Sequence, residues 1–109
     1  MASKTEELEF EIYQQIQGLD SSDQAIIYKN IRSIKFNMIG YGQLLAGKDD
    51  AKFGKKKTSV LESEIFKAIS GLEPRRQNII KDNLKKIKFN LTYYGRKSAS
   101  EQPGIVYIR

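Results

Sequence analysis

The sequence predicts an all-α fold in which a helix-turn-helix hairpin, a short helix followed by a long one, is duplicated in tandem. Shifting the chain against itself by 53 positions aligns residues 11–43 with residues 64–96 without a gap, and 15 of the 33 pairs are identical. Within each copy, apolar residues recur every three to four positions, the period of an amphipathic helix. Because one hairpin cannot cover its own apolar face, we expect the copies to pack as a pseudo-symmetric four-helix domain.

The short helix of the first copy follows the apolar residues Ile12, Tyr13, Ile16 and Leu19. Each copy then reaches the dipeptide Gly-Leu, at residues 18–19 and 71–72. A glycine in the left-handed conformation can end a helix, with the next apolar residue folding back onto it. We therefore expect each short helix to end there with a left-handed glycine.

The long helices are expected from about residue 22 to 45 and from about residue 75 to 96. Asp20, Ser21 or Ser22 can cap the first, and Pro74 suits the first turn of the second. The predicted core stripes are Ile27, Ile31, Ile34, Met38 and Tyr41, and Ile80, Leu84, Ile87, Leu91 and Tyr94. Beside these stripes lie Asn30, Asn37, Asn83 and Asn90, which we expect to bridge helices by hydrogen bonds rather than to contact a base edge or a partner.

The chain reads as one domain, residues 1–109, with two segments outside the repeats. Residues 46–58 have no steady period and contain two glycines, which predicts a mobile connector with Thr58 or Ser59 as the next N-cap. Residues 97–109 read as an extended, β-prone tail. One strand has no partner within such a domain, so we expect the tail to dock on the bundle rather than to join another chain.

The composition argues against an enzyme. The chain has no histidine and no cysteine, which removes the commonest general base, the thiol nucleophile and most transition-metal ligands, so no metal or cofactor is expected. The recurring acids Glu11 and Glu64 are interpreted as helix-start residues. An acidic N-terminus and the lack of a run of about 20 apolar residues favour a cytoplasmic protein that does not bind membranes.

The positive charge is unevenly distributed. The net charge is +6, and the second repeat carries +5 whereas the first is neutral. This asymmetry favours a polyanionic partner, with DNA preferred over RNA, although a solvated basic surface is the plain alternative. In a helix-turn-helix DNA-binding protein, the first residues of the second helix contact the bases in the major groove. Arg75, Arg76 and Gln77 would occupy that position. The full set of predicted contacts is Arg32, Lys35, Lys55, Lys56, Lys57, Arg75, Arg76, Gln77, Lys81, Lys85, Lys86 and Lys88.

Phe36 and Phe89 occupy equivalent positions on the helix side opposite the predicted core, among basic neighbours. One interpretation is a ring that packs on a sugar or wedges at a base step. The other is packing in a second seam, between the short helices or across a dimer, and it is favoured because phenylalanine more often packs than recognises.

Two functional hypotheses follow. The leading one is a small, basic, non-enzymatic nucleic-acid-binding protein with an accessory, regulatory or packaging role, for example in a nucleoid or a virus. The alternative is a protein-interaction module, an inhibitor or assembly adaptor, that uses Phe36, Phe89 and the tail as apolar anchors. A homodimer is compatible with either hypothesis.

Overall fold

The computed structural model describes residues 3–100, and these form four α-helices with no strand among them. In chain order they are α1 (Lys4–Gln15), α2 (Ser21–Leu45), α3 (Thr58–Ala68) and α4 (Pro74–Ser100). The all-helical prediction and the alternation of short and long helices are therefore confirmed. Within this part of the chain, no helix combines the length and apolar character that a membrane crossing requires.

Side-chain caps fix the starts of α1 and α2. Ser3 and Glu6 form a capping box, in which the Ser3 hydroxyl accepts from the Glu6 amide at 3.1 Å and the Glu6 carboxylate accepts from the Ser3 amide at 2.9 Å. Asp20 caps α2 by accepting from the Asp23 amide at 2.9 Å, as one of the three predicted candidates. This bond largely holds the pKa of Asp20 below its usual range.

The start of α3 differs from the prediction. Its N-cap is Lys57, which makes no side-chain cap bond, whereas Thr58 lies already inside the helix. The prediction of Thr58 or Ser59 as the N-cap was wrong. The chain entering α3 is fixed instead by Asn37 of α2, whose amide donates to the main-chain oxygen of Lys56 at 3.0 Å.

The short helices end without left-handed glycines, so that expectation was wrong. Among residues 3–100, Gly47 is the glycine with a positive φ, at 95°, and Gly18 and Gly71 are not in that conformation. A tight turn replaces it, in which the Leu19 amide donates to the main-chain oxygen of Ile16 at 3.0 Å.

Two glutamines complete these turns. The Gln24 side-chain amide donates to the main-chain oxygen of Leu19 at 2.9 Å, and that of Gln77 donates to the oxygen of Leu72 at 2.8 Å. Both oxygens lie in the turns between helices, outside the main-chain bonding of the helices, and the two glutamine side chains act as their donors.

The helices pack crosswise. α2 lies along α4, while α1 packs chiefly on α4 and α3 chiefly on α2, so each short helix covers the long helix of the other hairpin. The buried cluster comprises Ile12, Ile16, Ile27, Ile31, Ile34, Leu61, Ile65, Ile69, Ile80, Leu84, Ile87 and Leu91. Met38 is only half-buried, and Tyr41 and Tyr94, also expected in the core, are exposed. Both tyrosines lie near the C-terminal ends of the long helices.

The long helices meet at two glycines near these ends. A Cβ atom at Gly42 of α2 would overlap the main-chain oxygen of Thr92, and one at Gly95 of α4 would overlap that of Ile39. Only a residue without a side chain permits this approach of the two backbones. Gly95 therefore serves helix packing, and α4 continues beyond it.

The segments outside the repeats also differ from expectation. The connector between α2 and α3 is not a free linker, because the Gly54 amide donates to the Asn37 side chain at 2.7 Å and the Lys52 carbonyl lies against Gly40 of α2. Residues 97–100 of the predicted tail are helical, as part of α4. The rest of the tail, with its β-prone residues 105–108, lies outside the described residues.

Candidate nucleic-acid interface

Cations dominate α4. The helix carries eight lysines and arginines and one acidic residue, Asp82. The cations are Arg75, Arg76, Lys81, Lys85, Lys86, Lys88, Arg96 and Lys97. By contrast, α1 carries four glutamates and one lysine. The basic character is thus concentrated in one helix, although the whole chain has a net charge of +6.

Helix geometry divides α4 into a covered side and a solvent side. At about 100° per residue, the buried residues Ile80, Leu84, Ile87 and Leu91 fall on one side. The opposite side, here called the α4 outer face, comprises Arg75, Asn78, Asp82, Lys85, Lys86, Phe89, Tyr93, Arg96 and Lys97, all of them exposed. Five of these nine side chains are cationic, and the single carboxylate, Asp82, is paired with Lys86 at 3.3 Å.

Two exposed aromatic rings lie within this face. Phe89 is 74% exposed and Tyr93, one turn later, is 59% exposed. Phe36, the counterpart of Phe89 on α2, is 49% exposed. Phe36 and Phe89 therefore lie outside the core, and their interpretation as internal packing residues was wrong. A seam across a dimer stays a prediction.

Two of the predicted contact residues are held in ion pairs between helices. Lys35 of α2 pairs with Glu9 of α1, and Lys88 of α4 pairs with Glu62 of α3 at 2.7 Å. All four side chains are partly shielded from solvent. These lysines join a short helix to the long helix of the same hairpin. Each ammonium group is neutralised by a glutamate of the fold.

Gln77 and Lys81 also have partners within the bundle. The Gln77 amide caps the turn before α4, which leaves it without donors for a base edge. The Lys81 ammonium lies 5.1 Å from the centre of the Phe66 ring, within the range of a cation–π contact. Arg75 and Arg76, by contrast, are exposed at the start of α4.

The connector lysines form a second basic patch. Lys55 and Lys56 line a groove between α2 and α3, together with Lys29. Lys56 pairs with Glu64 at 2.7 Å. This bond, and to a smaller extent a hydrogen bond from Asn30, holds the pKa of Glu64 below its usual range. Lys57 is exposed where α3 begins, and so is Arg32 on α2. The predicted residues are therefore divided among the α4 outer face, this groove, contacts within the bundle, and the separate exposed positions Arg32, Lys57 and Arg76.

The predicted set omits Tyr93, Arg96 and Lys97, the second half of the α4 outer face. Tyr93 and Arg96 lie inside the predicted helix of residues 75–96, where the 3.6-residue period places both on the side opposite the core stripe, whereas Lys97 was assigned to the tail. The position of Tyr93 corresponds to Gly40 on α2 in the alignment. Gly40 is buried beneath the connector, whereas Tyr93 is exposed.

Asn30 and Asn83 bridge helices as expected, and Asn37 makes a similar bond to the connector. Asn30 donates to the Leu61 oxygen at 3.0 Å, Asn83 donates to the Leu8 oxygen at 3.1 Å, and Asn37 joins α2 to the connector. Asn90 is half-buried, and within residues 3–100 it has no such bond. These amides belong to the scaffold and not to the interface.

Comparison of the chain with models of protein families, with curated proteins and with solved structures gives no match.

Proposed function

We propose that this chain is a non-enzymatic nucleic-acid-binding protein with an accessory role, and that the α4 outer face is its main contact surface. The observation that carries the proposal is the exposure of five cations on one side of a single helix, with Asp82 as the lone carboxylate. A row of exposed cations attracts the phosphate backbone and releases its counterions. The connector lysines provide a secondary patch.

The other helices act as the scaffold in this proposal. Ion pairs between helices hold Lys35 and Lys88, and Gln77 holds the turn before α4. The proposed contact residues are accordingly narrowed to the α4 outer face, with Arg76 exposed at the start of the same helix and Lys55 and Lys57 in the separate connector patch. The acidic helix α1 disfavours phosphate binding on its own surface.

We further propose that the fold is a tandem duplication with a pseudo-twofold relation between the hairpins. Residues 53 positions apart make matching contacts: Asn30 with Leu61 and Glu64, and Asn83 with Leu8 and Glu11. Gly42 with Thr92 and Gly95 with Ile39 form another such pair. The identities also extend upstream of the aligned repeats, to Leu8 with Leu61 and Glu9 with Glu62.

In that scheme the copies share a scaffold and differ in their outer faces. On α2 the connector covers Gly40, so that part of the helix is closed to a ligand. On α4 the corresponding residue is the exposed Tyr93, followed by Arg96. Specialisation of the second copy then explains why it carries five more positive charges than the first.

The test is binding of mixed-sequence DNA and RNA, measured by fluorescence anisotropy over a salt series. The variant K85E/R96E reverses two charges on the α4 outer face, while K4E/K67E makes the same change on α1 and α3. We expect the first to weaken binding at least tenfold and to reduce the salt slope, and the second to change it little, because phosphate contacts are local. Absence of binding to every nucleic acid at low salt, or equal loss in both variants, would overturn the proposal.

A further inference from the structure

We infer that the α4 outer face takes single-stranded nucleic acid, with two unstacked bases lying on the rings of Phe89 and Tyr93. The inference rests on the proposed function and adds to it the form of the ligand. Sequence-tolerant single-strand binders combine a basic track with aromatic rings, because every base has a face that can stack. Both features are present on this one helix face.

The spacing of the two rings is the first argument. Phe89 and Tyr93 are four residues apart, which separates their attachment points by about 6 Å along the helix axis. Successive bases within one strand of a duplex lie only about 3.4 Å apart. A strand that uses both rings must therefore separate its neighbouring bases. A flexible single strand does so readily, whereas a duplex must first be unpaired and unstacked, at a cost of a few kcal/mol.

The placement of charge is the second argument. Lys85 and Lys86 lie one turn before Phe89, and Arg96 and Lys97 lie one turn after Tyr93. The Lys97 ammonium is 6.0 Å from the centre of the Tyr93 ring, so charge and ring meet at that end of the face. From Lys85 to Arg96 the helix rises about 16 Å, a length that suits about three extended nucleotides. Phosphates at both ends of the bound segment would thus meet cations.

The identity of the central side chains is the third argument. A helix that reads the major groove places arginine, asparagine or glutamine against base edges. The centre of this face instead holds the two rings, while the Gln77 amide is used in the turn. Phe89 and Tyr93 can contact the face of a base but lack the paired donors that read its edge. The arrangement favours stacking over duplex readout.

The α2 helix provides a natural control. Phe36 corresponds to Phe89, yet the position one turn later is Gly40, beneath the connector, and not a second ring. On this side α2 itself therefore carries one ring, less exposed than Phe89, and the ring beside Gly40 is Phe53 of the connector. Replacement of Phe36 removes an exposed phenylalanine from the protein without altering the α4 outer face.

The experiment uses the full chain and four labelled probes at low salt. Two are the single strands dT12 and rU12, and two are 12-base-pair duplexes of one mixed sequence, a DNA duplex and a DNA–RNA hybrid. We expect both single strands to bind at least tenfold more tightly than either duplex. Comparison of dT12 with rU12 distinguishes DNA from RNA as the source of the strand. We expect F89A and Y93A each to weaken single-strand binding by about tenfold, the range found for base–aromatic stacking. F36A is expected to bind the single strands with an affinity within twofold of that of the original protein.

The dependence of affinity on salt concentration distinguishes loss of charge from loss of stacking. Loss of a cation reduces the slope, whereas loss of an uncharged ring leaves it unchanged. In F89A/Y93A we expect weaker binding with an unchanged slope, because both replaced side chains are uncharged. Circular dichroism checks that this exposed double variant keeps its helices. Equal or tighter duplex binding, or F89A/Y93A equal to the original protein, overturns the single-strand inference while leaving nucleic-acid binding intact. Failure to bind any probe overturns both.

Discussion

The side-chain amide of Asn30 on α2 donates a hydrogen bond to the main-chain oxygen of Leu61 on α3, 3.0 Å away in the buried interior. The same amide group donates to the Glu64 carboxylate at 2.9 Å. Asn83 of α4 makes the matching contacts with Leu8 and Glu11 of α1. Each asparagine therefore fixes the position of a short helix along the long helix of the other hairpin.

Loss of either asparagine should destabilise the bundle. Asn30→Ala or Asn83→Ala removes two interhelical hydrogen bonds and leaves their acceptors short of a partner. We expect each to lower the free energy of unfolding by about 1 to 3 kcal/mol, measured by urea denaturation. Asn78→Ala is the matched control, because Asn78 is exposed on α4. Equal stability of N30A, N83A and N78A would contradict a bridging role.

At the crossing of the long helices, replacement of glycine by alanine should destabilise the protein. Glycine to alanine usually stabilises a helix, yet a methyl group at Gly42 or Gly95 would overlap the opposite backbone. We expect G42A and G95A each to cost about 1 to 3 kcal/mol of unfolding free energy as the helices move apart. Gly18 and Gly71 have open space around the Cβ position, so G18A and G71A should be neutral or slightly stabilising. A stable G42A protein would show that the crossing is looser than described.

The helices were predictable because their periodic pattern is local in the sequence. Contacts between residues distant in the sequence were not predictable. The period of Ile27, Ile31 and Ile34 identified α2, and Asp20 was among its predicted caps. The role of Gly95, close approach to Ile39, was not predicted because it depends on another helix. A glycine that permits helix contact and a glycine that ends a helix look alike in one sequence.

The candidate site was predictable in charge but not in detail. Counting cations identified the second repeat, because net charge needs no structure. It could not show that Lys88 is paired with Glu62, since that partner lies on another helix. Tyr93 was missed although it lies inside the predicted helix of residues 75–96, because the predicted contacts were chosen almost entirely by charge.

The exposed rings should contribute little to stability. Phe36 and Phe89 are 49% and 74% exposed, so F36S and F89S remove few buried contacts. We expect each to change the unfolding free energy by no more than about 0.5 kcal/mol, because surface substitutions rarely do more. Ile87 is fully buried nearby, and I87A should cost about 2 to 5 kcal/mol in the same thermal or urea measurement. A loss of that size in F89S would identify the ring as part of a buried seam.

The Lys56–Glu64 pair should make part of the stability depend on pH. The pKa of Glu64 is lowered from 4.5, mainly by the Lys56 hydrogen bond, so the folded state favours the charged form. Its contribution is present above pH 4.5 and is lost as pH falls through the lowered folded pKa. We expect E64Q to lower the urea midpoint at pH 7 and to approach the original protein at pH 3. Asp49→Asn, in the connector, is the control; a difference for E64Q that persists at pH 3 would contradict the titration.

The connector should depend on Asn37 for its order. The Asn37 side chain accepts from the Gly54 amide at 2.7 Å and donates to the Lys56 oxygen at 3.0 Å, so it fixes both sides of Lys55. Cleavage by trypsin requires the chain to leave such contacts, and local opening sets its rate. We therefore expect trypsin to cut at residues 55–57 several times faster in N37A than in the original protein, with fragments identified by mass spectrometry. N78A should be cut at the original rate. Unchanged cleavage in N37A would mean that the Lys52 contact with Gly40 suffices to hold the connector, and G40A, which displaces that carbonyl, would then be the variant that releases it.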